Sequence, residues 1–194
     1  TQTGFPFYDR LDAHSRGLAP ALEEFLAAGA APVVFTLGTS AVLDPGRFFE
    51  DAAESLTRTK RRGVLLVSRL HAEKYRDWNS ATLRVVDYAP HSLLMPRAFV
   101  NVHQGGVGTT AQALRAGRPM VVVPFSHDQP DNAMRVERLG VAKVIARNQL
   151  NASRLGEALT QLEDAQYSER AAALAALLSQ EQAAKSAVDA LELR

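Results

Sequence analysis

The chain of 194 residues has no cysteine, which excludes a disulfide framework and thiolate chemistry. Its five histidines, at 14, 71, 91, 103 and 127, show no paired metal-ligand spacing, so neither a structural nor a catalytic zinc is expected. Charge of one sign is also scarce: the formal net charge is +1, and no like-charge block exceeds Lys60-Arg61-Arg62. That argues against a nucleic-acid partner, and those three basic residues suit the end of a helix instead. No apolar run approaches the roughly 20 residues that cross a bilayer, and no signal-peptide pattern opens the chain. A soluble, cytoplasmic protein is expected, with peripheral membrane contact left open. No Gly-Lys-Ser or Gly-Lys-Thr follows the glycines, so there is no P-loop. An initiator methionine is missing too: the polar start Thr1-Gln2-Thr3-Gly4 suggests the middle of something longer.

What is present suits one compact domain, since 46% of residues are hydrophobic and 22% charged. Short apolar, β-rich runs alternate with helical patterns, the mark of a parallel sheet covered by helices on both faces. Residues 32–37 (PVVFTL) predict the first strand, 63–68 (GVLLVS) the second, and 83–86, 98–102, 119–123 and 142–146 the other four. Residues 45–60 predict an amphipathic helix, with Phe48, Ala52 and Leu56 spaced by four, and 109–116 and 130–139 predict two more. From Asn151, a plausible N-cap, the pattern becomes uninterrupted helix, with Leu155, Leu159 and Leu162 on one face and Ala184, Val188 and Leu191 on another. These terminal helices either complete the core or pack on a further domain.

The most informative run is HQGGVGTTAQALRAGRP, from His103 to Pro119, where an apolar strand gives way to a helix. Backbone N–H groups at a helix start are unpaired and carry the positive end of the helix dipole, so they bind phosphate where side chains stay small. Gly105, Gly106 and Gly108 keep them small. In an open parallel sheet, ligands bind at the carboxyl ends of the strands. Gly38-Thr39-Ser40, Tyr88-Ala89-Pro90-His91, His103 to Thr110 and Pro124 to Asn132 all fall at such ends and together describe a composite pocket. Each has a plainer reading alone: a strand-to-helix turn, a half-buried aromatic, a buried histidine satisfied by a carbonyl, and an aspartate capping a helix at Asp128. Gly106-x-Gly108-x-x-Ala111 also fits the dinucleotide fingerprint, with Asp128 about 20 residues on, but that fingerprint normally opens the first βαβ unit and here follows three predicted strands.

These residues resemble the donor-binding half of a GT-B glycosyltransferase of the UDP-glycosyltransferase superfamily. The signature box of that superfamily runs from an aromatic-x-Pro-Gln through His-x-Gly to Asp-Gln before a helix, matched here by Tyr88-Ala89-Pro90-His91, His103-Gln104-Gly105 and Asp128-Gln129-Pro130-Asp131-Asn132. The GGVGTT after the histidine is most similar to bacterial and sterol-type members. GFPFYDR and VVFTLGTS resemble the interdomain linker and first donor-domain strand, so the likeness covers nearly the whole chain. It implies a linker remnant over 1–18 and, over 19–194, a Rossmann-like α/β domain with a parallel sheet of about six strands, flanking helices and C-terminal helices.

Carried over by position, the resemblance implies that Tyr88 stacks beside the base while the Ala89 backbone reads its edge. His103 would contact the diphosphate with backbone near Gly105, Gly106, Gly108 and Thr109 and with Thr39 or Ser40, and Asp128 and Gln129 would hold sugar hydroxyls. No metal or other cofactor is required, because preorganised donors stabilise the leaving diphosphate. The implied reaction is inverting transfer of a hexose from a UDP- or dTDP-sugar to a hydroxyl of a small or lipophilic acceptor. The general base belongs to an N-terminal acceptor domain, His14 lies in the linker, and no catalytic residue is expected here, so the chain alone should transfer little. Ala111 stands where plant-type members carry a ribose-holding glutamate, His91 replaces the usual glutamine and Ser126 a tryptophan. These departures leave the ribose preference and the sugar open. The alternatives are a donor-binding subunit of a two-chain glycosyltransferase and an NAD-dependent oxidoreductase domain.

Overall fold

The computed structural model describes residues 2–7, 17–38 and 41–192. All six predicted strands form: β1 (Val33–Thr36), β2 (Gly63–Leu66), β3 (Leu83–Val86), β4 (Val100–His103), β5 (Met120–Val122) and β6 (Ala142–Val144). They make one parallel sheet in the order β3-β2-β1-β4-β5-β6. The chain builds outward from β1 through β2 to β3, then returns to lay β4 on the other side of β1. That reversal puts the topological switch point between β1 and β4, where the loops leaving the two strands diverge and leave a crevice.

Alternation along each strand assigns the two faces. Val33, Phe35, Leu65, Val102 and Val121 turn to α2 (Phe48–Thr59) and α7 (Ala152–Gln161), whose Phe48, Phe49, Leu155 and Leu159 fill that side. On the other face Val34 and Val64 meet Leu22 and Phe25 of α1 (Pro20–Ala27), while Met120 and Val122 meet Ala113 of α5 (Val107–Arg115), Val136 of α6 (Gln129–Arg138) and Ala171 of α8 (Ala165–Leu178). Strands buried on both faces are largely apolar, which is why β1, β2 and β5 appear in the sequence as nearly continuous apolar runs, whereas the buried Asn101 and His103 interrupt β4. Two short helices, α3 (Arg69–Tyr75) and α4 (His91–Leu94), follow β2 and β3.

The basic run does end a helix: Lys60 is the C-cap of α2, in the left-handed region at φ 54°. At the start of β2, a Cβ on Gly63 would overlap Leu56 of α2, so helix and strand meet there because the residue has no side chain. Asn151 caps α7 as expected, its Oδ1 accepting the Arg154 N–H at 3.0 Å.

The uninterrupted C-terminal helix is corrected. The segment folds as α7, α8 and α9 (Ala183–Glu192), because Asp164 caps a new helix by accepting the Gln166 N–H at 3.0 Å, and a second turn precedes α9. Leu155, Leu159 and Leu162 are buried in the core, whereas Ala184, Val188 and Leu191 on α9 face solvent. The first helical segment completes this domain and the last does not. Among the described residues no helix is long and apolar enough to cross a membrane.

Candidate functional site

The loops leaving β1, β2, β3 and β4 enclose a cleft of about 520 Å³ at the switch point, lined by Gly38, Ser68, Tyr88, Ala89, His91 and Thr109. A hollow of about 610 Å³ between the starts of α2 and α7, lined by Asp51 and Phe125 among others, holds none of the residues assigned a binding role. The smaller cleft is where chemistry-bearing loops meet. Among the described residues no lysine or arginine lines it, so from these an anion there would be held by backbone and neutral side-chain donors.

Tyr88 stands 48% exposed at the rim, and the buried Ala89 follows it into the cleft. Thr39 and Ser40 lie outside the described residues, as does His14. At the start of α5 the first helical backbone bond runs from the Thr110 N–H to the Gly106 carbonyl at 2.9 Å. The N–H groups of Val107, Gly108 and Thr109 therefore sit at the positive end of the helix without helical partners. A Cβ on Gly108 would meet nothing within 4 Å, so the glycine leaves open space beside those donors.

Gly105 and Gly106 are small for other reasons. Gly105 adopts φ +87°, and a Cβ there would stand 2.8 Å from Val122 Cγ1 and 3.2 Å from the Gln129 carbonyl. Gly106 carries no side chain because the Gln104 amide lies against it: a Cβ would approach Gln104 Nε2 to 2.7 Å. Gly38, across the crevice at the end of β1, would overlap the same amide if it bore a Cβ. Gln104 thus spans the switch point between two glycines. It is 3% exposed, and among the described residues its Oε1 is buried with no hydrogen-bond partner.

His103 lies at the base of the glycine turn. It is wholly buried at the end of β4, with Nδ1 accepting the Gly105 N–H at 3.0 Å and Nε2 facing Met120 Sδ at 3.4 Å. Burial, with a smaller contribution from nearby His91, pushes its pKa down to about 3, so the ring is neutral. It braces the glycine turn from behind, while Gln104, next along the strand, occupies the crevice. Sequence reasoning singled out the histidine and passed over the glutamine. Alternation requires that only one of two neighbours at a strand end face the cleft, and nothing local says which.

Beyond β5, Asp128 leads into α6 but caps it with no side-chain bond; its exposed carboxylate instead accepts from Asn132 Nδ2 at 2.7 Å. Gln129 is buried, its Oε1 accepting the N–H groups of Phe125 (2.8 Å) and Ser126 (3.1 Å), so it shapes the loop that carries Asp128. Asn132, which sequence reasoning assigned no role, also donates to the Gly105 carbonyl at 2.9 Å. Among the described residues no three of His, Asp and Glu come together in a way that could hold a metal ion.

Comparison with known proteins agrees with this geometry. Residues 65–192 match the family described as Erythromycin biosynthesis protein CIII-like, C-terminal domain. The chain is 40% identical over 140 residues to O-mycaminosyltylonolide 6-deoxyallosyltransferase of Streptomyces fradiae, covering 72% of this chain and 31% of that protein. It is 33% identical over 190 residues to a sterol 3-beta-glucosyltransferase of Arabidopsis thaliana, covering 93% of this chain and 28% of the relative. The chain thus spans under a third of the length of these curated relatives. Among solved structures, the glycotransferase of kitacinnamycin superposes with a TM-score of 0.77 at 28% identity over 93% of this chain and 46% of that one. Glycosyltransferase VinC in complex with DTDP superposes at 0.71 and 26% identity over 84% of this chain and 41% of that one. The chain therefore belongs to the erythromycin biosynthesis protein CIII-like C-terminal domains, the C-terminal half of GT-B glycosyltransferases.

Proposed function

We infer that this chain is the donor-binding half of an inverting glycosyltransferase that moves a hexose from a UDP- or dTDP-sugar to a hydroxyl of a small or lipophilic acceptor. The observation that carries the reading is the convergence, at one switch-point cleft, of an exposed tyrosine and the start of α5, whose first N–H groups have no helical partners and where Gly108 leaves open space beside them. In this reading the base lies beside Tyr88 and meets the Ala89 backbone. The diphosphate takes the N–H groups near Gly108 and Thr109, the Gln104 amide, and Thr39 or Ser40. The sugar lies toward Asp128, with Gln129 behind it.

The chemistry follows from that placement. The acceptor oxygen forms a bond to the anomeric carbon as the bond from that carbon to the distal phosphate oxygen breaks, and a base takes the acceptor proton. Negative charge grows on the departing phosphate, where fixed N–H donors stabilise it without reorganising and without a metal. The base and the acceptor pocket belong to an N-terminal domain of the same protein, outside this chain, so the chain by itself binds donor and transfers little. A cytoplasmic location goes with this reading. The family sets the dinucleotide-fingerprint alternative aside: its relatives are glycosyltransferases.

Calorimetry with UDP and dTDP tests the proposal, with Gln104→Ala as the control. Saturable binding of at least one nucleotide, weakened about tenfold by loss of one hydrogen bond to a charged group, is expected. Binding of NAD but of neither UDP nor dTDP would overturn it.

A further inference from the structure

Asn132 touches both halves of this site. It sits within the first turns of α6, and its amide nitrogen donates to two acceptors: the Gly105 carbonyl at 2.9 Å and Asp128 Oδ2 at 2.7 Å. One acceptor belongs to the glycine turn that opens α5, the other to the loop after β5. Both are electron-rich oxygens, and the two hydrogens of one –NH₂ group can serve one each.

The two acceptors differ in how firmly they are otherwise held. Gly105 is held at its N–H by His103 Nδ1, and at φ +87° it has no room for a side chain, since a Cβ would stand 2.8 Å from Val122 Cγ1. Asp128 is an exposed carboxylate that follows His127, a non-glycine residue at φ 59°. Among the described residues, Asn132 is the only hydrogen-bond partner of the Asp128 side chain. The rigid turn and the looser carboxylate are joined through a single amide.

We propose that Asn132 is a positioning residue: through its bond to Gly105 it holds the Asp128 carboxylate at a set distance from the diphosphate-binding turn, and so sets where the donor sugar lies relative to its phosphate. This rests on the donor-binding reading above. Asn132 touches neither base nor phosphate in that reading, so its loss should act on the sugar and spare the nucleotide.

The test compares the nucleotide with the sugar nucleotide on the same chain. Affinities of UDP and UDP-glucose, and of dTDP and dTDP-glucose, are measured calorimetrically for the unsubstituted chain and for Asn132→Ala, Asn132→Asp, Asn132→Ser and Asp128→Ala. Asn132→Ala should weaken the sugar nucleotide about tenfold, the scale of one hydrogen bond to a charged group, while the free diphosphate changes less than twofold. Asn132→Asp, which sets a third acceptor against two others, should lose at least as much, and Asn132→Ser, a shorter donor, should recover part. The double variant Asn132→Ala/Asp128→Ala should cost little more than Asp128→Ala alone. Equal weakening of diphosphate and sugar nucleotide, or additive losses in the double variant, overturns the positioning role and leaves the donor reading standing. If the unsubstituted chain binds no nucleotide at all, the donor reading falls and this inference with it.

Discussion

His103 Nδ1 accepts the Gly105 N–H at 3.0 Å from a ring that is entirely buried between β4 and Met120. The bond requires a neutral imidazole, because a protonated ring has no acceptor nitrogen. Burial enforces that state, and the glycine turn at the start of α5 depends on it.

Acid should therefore weaken the fold through this residue. The folded-state pKa of about 3 lies below the ordinary 6.5, so between those values the unfolded chain binds a proton that the folded chain refuses. The stability is fully present above pH 6.5 and is lost as pH falls toward 3, by about 1.4 kcal/mol per pH unit. Thermal unfolding at pH 7 and pH 5 should show a smaller acid loss in His103→Asn than in the parent, by on the order of 2 kcal/mol. An unchanged acid loss would mean that His103 is not the buried neutral ring described.

Gly38→Ala should act on ligand binding more than on stability. Its Cβ would overlap the tip of Gln104, a flexible side chain that can move aside. Expected is a change in unfolding free energy within about 1 kcal/mol, with nucleotide affinity lowered roughly tenfold. In Gln104→Ala the same glycine substitution should cost almost nothing, because the clash is gone. Additive losses in that cycle would show that the two residues do not interact.

Gly63→Ala should do the reverse. The added methyl would overlap the buried Leu56 at the amino end of β2, the opposite edge of the sheet from the cleft. Overpacking of that kind costs about 1–3 kcal/mol, and nucleotide affinity should not change. Chemical denaturation and calorimetry on the same variant separate the two.

Asp51→Asn should raise the melting temperature at neutral pH. Burial pushes the Asp51 carboxyl above its ordinary range, outweighing the pull of Arg47, whose Nε is 4.0 Å away. A carboxyl with a raised folded pKa costs stability once pH exceeds its unfolded value of about 3.9, and the neutral amide avoids that cost. The gain should shrink as pH falls toward 4. A variant less stable than its parent at pH 7 would show that the ionised carboxylate contributes favourably.

Much of this architecture was legible along the chain. Strands buried on both faces are largely apolar, so PVVFTL and GVLLVS marked themselves, and Asn151 announced the start of α7. The loops that form the cleft were legible because small and polar residues cluster where strands end. The breaks between α7, α8 and α9 were not. Alanine-rich helical patterns run through them, and only the Asp164 cap and the turn before α9 stop the helix.

The sequence by itself determined the parallel α/β class and the chemistry available at each strand end, because these depend on local composition and on periods of two and 3.6 residues. Tertiary structure decided which of His103 and Gln104 faces the crevice, and that Asn132 joins Gly105 to Asp128. The first depends on how β4 sits between β1 and β5, and the second on α6 packing back over the start of α5. Both relations are set by the crossover order of the sheet, which no stretch of neighbouring residues contains.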